Sequence, residues 1–149
     1  MGSTRMYKTI LVTLDTTPTD RAIIEHIKQL AAIMKSSVVL LHVATGVPAQ
    51  FRGANAGGEE VEKDQAYLDR VRREIESAGI PARAELAFGD PVREIVKWVN
   101  ENDCDMVAMS THGHKFVADL ILGTTANRVR HSVNVPVLLL CGRSSREGR

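Results

Sequence analysis

Residues 37 to 43, SVVLLHV, form an almost unbroken apolar run that is too short for a buried helix. A strand that is apolar at consecutive positions is covered on both faces, which in globular domains is the mark of a parallel sheet. Parallel strands cannot be joined by tight turns, and each pair needs a crossover of a dozen or more residues. The chain has both parts. Further strand-like runs lie at 8–14 (KTILVTL), about 82–88, 106–110 (MVAMS) and 135–141 (VPVLLLC). Between them apolar residues recur at helical spacing. Ile23, Ile27, Leu30, Ala31 and Met34 mark the first helix, Val61, Leu68, Val71 and Ile75 the second, from about 59 to 78, and Val92, Ile95, Val96 and Val99 the third. A fourth is predicted from near Gly123 to near Ser132. The order β-α-β-α-β-α-β-α-β with long crossovers predicts an α/β fold, a single doubly wound five-stranded parallel sheet with helices on both faces.

Local chemistry marks the boundaries. Thr17 is placed to N-cap the first helix, with Pro18 at the first helical position and Asp20 three residues after Thr17, in the manner of a capping box. Gly79 suits the end of the second helix. Gly89-Asp90-Pro91 provides a turn, an N-cap and a first-turn proline for the third. Pro136 has no N–H to donate, so the last strand is expected at an edge of the sheet. Residues 44–58, with four glycines, one proline and no period, read as a mobile loop and a candidate lid. The domain is expected to span residues 6–141, with residues 1–5 and 142–149 as flexible tails.

At 149 residues, 44% of them hydrophobic, the chain is long enough for one domain with a substantial core. A net charge of +1 gives no field that would steer it to nucleic acid or to an anionic membrane, so any polyanion it binds must be small and locally recognised. No apolar run approaches the ~18 residues of a membrane span. The start, MGSTRMYKTILV, lacks the ordered regions of a signal peptide, and a soluble cytoplasmic protein is expected. Cys104 and Cys141 match no metal or redox spacing and read as buried free thiols.

The fourth strand runs directly into STHGHK, residues 110–115. This polar stretch occupies the carboxyl end of a parallel strand, the rim where doubly wound sheets bind ligands. Ten residues after Gly113, Gly123-Thr124-Thr125 stands at a helix start, where free N–H groups favour phosphate. With the hydroxyls of Ser110, Thr124 and Thr125, these parts would make a phosphate cradle. Spacing alone equally allows Gly113 to be a turn and Gly123-Thr124 a cap. Neither GxGxxG nor GxxxxGK[ST] occurs, which argues against dinucleotide dehydrogenases and P-loop enzymes.

From about Met6 to Cys141 the chain resembles the universal stress proteins. The ATP-binding pattern of that family is glycine, two residues, glycine, nine residues, glycine, then serine or threonine. Gly113, Gly123 and Thr124 match its later positions, and Ser110 stands where the first glycine would be. LVTLD at the first strand, LLHV at the second and NVPVLLL at the last also resemble the family. The resemblance implies strand order 3-2-1-4-5 and a homodimer formed by the last edge strand, here Val135, Pro136, Val137, Leu138 and Leu139. It implies an ATP or related adenine nucleotide site, with or without Mg²⁺, in which Thr13, Leu14, Asp15, Val43 and Met109 surround base and ribose. Ser110, Gly113, Gly123, Thr124 and Thr125 would hold the phosphates. A serine at the first glycine position would either crowd the ligand or hydrogen-bond to it. The implied role is nucleotide-responsive regulation of an unidentified protein partner; a nucleotide-free dimeric interaction module and a slow ATPase are the alternatives.

Several residues keep two readings. Asp15 suits a ribose hydroxyl or a water-held metal ion, or else caps the turn after it. His112, His114 and Lys115 are placed for phosphate contact or for solvent, and His114 joins the candidate binding set; no third ligand accompanies the two histidines for zinc. His42 reads as a hydrogen-bonded core histidine, Trp98 as packing, and Arg128, Arg130 and His131 as a solvated helix face. No residue is an evident general base for a hydrolytic water, so weak ATP hydrolysis is the most that is expected.

Overall fold

In the computed structural model, which describes residues 6–45, 58–111 and 124–141, the apolar runs form strands β1 (Thr9–Thr13), β2 (Ser37–Ala44), β3 (Ala82–Phe88), β4 (Met106–Ser110) and β5 (Val137–Leu140). Helices α1 (Asp20–Met34), α2 (Gly58–Ser77), α3 (Pro91–Glu101) and α4 (Thr124–Ser132) alternate with them. All strand pairs are parallel, in the order β3-β2-β1-β4-β5. β1 is central, pairing Ile10 with both Val38 of β2 and Met106 of β4.

Consecutive side chains on a strand point to opposite faces, which is why these strands are apolar at nearly every position. Ile10, Val12, Val38 and Leu40 face one core with Ile23, Ile24 and Ile27 of α1 and Leu68, Val71 and Ile75 of α2. Leu11, Val39, Leu41, Val107 and Met109 face a second core with Val92, Ile95, Trp98 and Val99 of α3 and Ala126 and Val129 of α4. Right-handed crossovers explain the division: β1 to β2 to β3 progresses one way across the sheet, then the chain returns to β4 on the other side of β1. On the outer side of α1 and α2, Arg21 and Lys28 reach Glu74. The hydrogen bond from Arg21 holds the Glu74 carboxyl down at about 2.

Most boundaries follow the predicted caps. Asp90 Oδ2 accepts from the Arg93 N–H at 2.8 Å and Pro91 opens α3. Gly79, at φ +83°, takes the left-handed conformation after α2, and its N–H donates to the Glu76 carbonyl. β5 lies at an edge, where the carbonyl of Pro136 accepts from the Val107 N–H while its own nitrogen is spared a partner.

Two expectations are corrected. Helix α1 begins at Asp20, not after a Thr17 cap: Thr17 and Pro18 form a preceding turn whose carbonyls accept from the Asp20 and Arg21 N–H groups. The Asp20 carboxylate turns back to earlier backbone instead of completing a capping box. The cysteines are both free but are not buried. Cys104 is half-buried, and desolvation pushes its thiol pKa up, whereas Cys141, one residue past the end of an edge strand, is exposed. Trp98 is buried as expected, with its Nε1–H donating to Glu85 Oε2 at 2.6 Å, and Arg128, Arg130 and His131 are exposed. Among the described residues no helix is long and apolar enough to cross a membrane. Of the predicted loop at 44–58, residues 46–57 lie outside the described residues.

Candidate functional site

The direction of winding reverses between β1 and β4, and a doubly wound sheet leaves a crevice beyond the carboxyl ends of its strands at that point. A cleft of about 360 Å³ lies there. The ends of β1, β2 and β4 form its floor, and the first turns of α3 and α4 bound it. Eight predicted residues line it together: Thr13, Leu14, Asp15, Val43, Met109, Ser110, Thr124 and Thr125. Gly113, His114 and Gly123 lie outside the described residues, as do His112 and Lys115.

The lining has an apolar part and a hydroxyl-rich part. Leu41, Val43, Ile95 and Met109 present hydrocarbon, suited to the face of a flat ring. Ser110, Thr111, Thr124 and Thr125 converge with the start of α4. The first turn of α4 contains no acidic residue and its last turn carries Arg130 and His131, so no side-chain charge in that turn opposes the positive end of the helix dipole at the cleft. Helix N-termini of this kind favour anionic oxygen. The Ser110 hydroxyl oxygen is buried with no hydrogen-bond partner among the described residues. Thr111 donates through its hydroxyl to Cys141 Sγ at 3.4 Å, tying β4 to the end of β5.

The turn after β1 is the most constrained part of the site. Thr16 has φ +60°, a conformation rarely taken by β-branched residues, with a cost of about 1–3 kcal/mol that persists only where surrounding bonds over-determine it. Here they do. The Leu14 carbonyl accepts from His42 Nδ1 at 2.7 Å, so that nitrogen carries the proton. The N–H groups of Asp15 and Thr16 donate to Asp20 Oδ1 and Oδ2 at 3.0 and 2.9 Å, and Asp20 is only 1% exposed. Tyr67 of α2 adds its hydroxyl to Asp20 Oδ2 at 2.7 Å. Burial, then the bond to that carboxylate, pushes the Tyr67 phenol well above its ordinary range. Asp15 itself is exposed and lines the cleft.

Sequence reasoning missed Leu41, His42, Thr45, Pro91, Ile95, Thr111 and Ala126 as lining residues. His42 follows the strand-end rule that found Asp15, but its place in an apolar run led to a core assignment. Pro91 and Ile95 were identified as a helix start and a core position, and only the tertiary fold turns them toward the cleft.

The family model described as the universal stress protein family matches residues 6–140. Universal stress protein MJ0577 of Methanocaldococcus jannaschii is 26% identical over 159 residues, covering 94% of this chain and 98% of that protein. A solved structure of MJ0577 superimposes with a TM-score of 0.81, at 25% identity over 94% of this chain and 99% of its own. A universal stress protein solved in complex with cAMP has a TM-score of 0.68, at 18% identity over 91% of this chain and 98% of its own. One from Archaeoglobus fulgidus in complex with dAMP gives 0.67, at 17% identity over 90% and 98%.

Proposed function

The chain belongs to the universal stress protein family, and we propose that it binds ATP or a related adenine nucleotide in the cleft over β1, β2 and β4. The observation that carries this reading is the pairing of an apolar wall with a hydroxyl-lined helix N-terminus at the switch point of the sheet. Val43 and Met109 suit the base, Asp15 the ribose hydroxyls, and the first turn of α4 the phosphates. The later glycines of the family's ATP pattern, Gly113 and Gly123, are present in the sequence beside Thr124. Universal stress proteins solved in complex with cAMP and with dAMP support an adenine nucleotide as the class of ligand. Turnover is not part of the proposal. The bound state is proposed to act through a surface presented to a protein partner.

Asp15→Ala tests the ribose contact. Removing one hydrogen bond to a charged group costs ~1.5–3 kcal/mol, so ATP affinity should fall by about 10- to 100-fold in a calorimetric titration. Affinity within about twofold of wild type would refute the contact.

The second reading is a nucleotide-free dimeric module, favoured by one observation: Ser110 replaces the glycine of the family pattern. In either reading a homodimer through β5 is proposed, because the outer edge of β5 has no partner strand among the described residues. Leu138, Leu139 and Leu140 are only partly buried there. Sedimentation of the purified chain should give twice the chain mass; a monomer at micromolar concentration would rule out the β5 dimer.

A further inference from the structure

Two side chains hold the Asp15 turn, and α2 grips both of them. His42, which fixes the Leu14 carbonyl, has Nε2 3.4 Å from Asp64 Oδ2. Asp20, which fixes the Asp15 and Thr16 N–H groups, receives the Tyr67 hydroxyl. Asp64 and Tyr67 are three residues apart on α2 and so share a helix face. No described residue lining the cleft comes from α2. Beyond the core cluster it shares with Leu14, the helix therefore meets the site through these two polar contacts, and none of its described residues lines the ligand space.

We infer that Asp20 and Tyr67 are positioning residues of the cleft, and that docking of α2 through Tyr67 and Asp64 is linked to ligand occupancy by way of the Asp15 turn. The identity of the ligand rests on the nucleotide reading above. The left-handed Thr16 gives the physical reason: a β-branched residue leaves that conformation when its bonds are loosened, and the Asp15 backbone moves with it. Linkage is reciprocal, so a ligand that requires the held turn must also tighten α2 on the sheet.

The test uses the full chain, ATP as the probe, and Tyr67→Phe, which keeps the ring and its packing while removing the hydroxyl. ATP affinity is expected to fall about fivefold or more. In the unliganded variant the Asp15 and Thr16 amides should exchange with solvent about tenfold faster than in wild type. ATP should slow amide exchange along α2 in wild type, and less so in the variant. Asp64→Asn should show the same pattern with smaller changes. Wild-type affinity in Tyr67→Phe overturns the linkage even if exchange is faster, and unchanged exchange at Asp15 and Thr16 overturns the positioning role. If the wild-type chain binds no ATP, the nucleotide reading fails on its own account, and exchange at these two amides still decides whether α2 positions the turn.

Discussion

Thr125→Asp should lower ATP affinity by at least about 100-fold while leaving the melting temperature unchanged or slightly higher. The two effects have opposite signs because they arise from the same helix end. A carboxylate in the first turn of α4 sits favourably on the helix dipole, worth about 0.3–1 kcal/mol to the fold, and that turn now holds no acid. Thr125 lines the cleft, so the new charge would face the phosphates. Two like charges ~4 Å apart at an effective dielectric of about 20 repel by about 4 kcal/mol, and the phosphate chain carries several. A calorimetric titration and a thermal melt on the same preparation separate the terms. If the variant binds ATP normally, the phosphates do not lie at α4; a fall in both quantities would mean the helix itself had been damaged.

Leu40→Ala should destabilise the protein by about 2–5 kcal/mol, a large share of the roughly 5–15 kcal/mol expected for a domain. Leu40 has no exposed surface, pairs with Val12 of β1 and Ala84 of β3, and belongs to the core beneath α1 and α2. Helices cover it on one side and strands flank it, so the surroundings have little room to collapse into the space left behind. Urea unfolding should show a lower midpoint with an unchanged slope. A loss under about 1 kcal/mol would contradict the packing. The effect also bears on the site, because β2 delivers His42 and Val43 to the cleft immediately beyond Leu40.

The sheet was legible because its strands are buried on both faces, so apolar runs such as SVVLLHV stand out without any knowledge of partners. Strand order was not encoded in any local pattern and came from the family resemblance. Caps made from neighbouring residues, Asp90 with Arg93 for example, were read correctly. The start of α1 was misplaced because Asp20 is occupied elsewhere. Its carboxylate serves Asp15, Thr16 and the distant Tyr67, and that tertiary demand overrides the capping pattern of Thr17 and Pro18. The same limit applies at the cleft. Asp15 and Ser110 are found by being at strand ends, but the role of His42 depends on Leu14 and Asp64, neither of which is near it in sequence. Cys141 matches no metal or redox spacing and so reads as a buried thiol; lying just beyond an edge strand, it is exposed.

Binding of an adenine nucleotide in the cleft is tested most directly by titrating ATP into wild-type protein stripped of bound small molecules, followed by calorimetry. The account predicts saturable binding of one nucleotide per chain, competed by other adenine nucleotides and lost in Thr125→Asp. No heat and no competition up to millimolar ATP, with or without Mg²⁺, would contradict it and leave the dimeric module as the function of this fold.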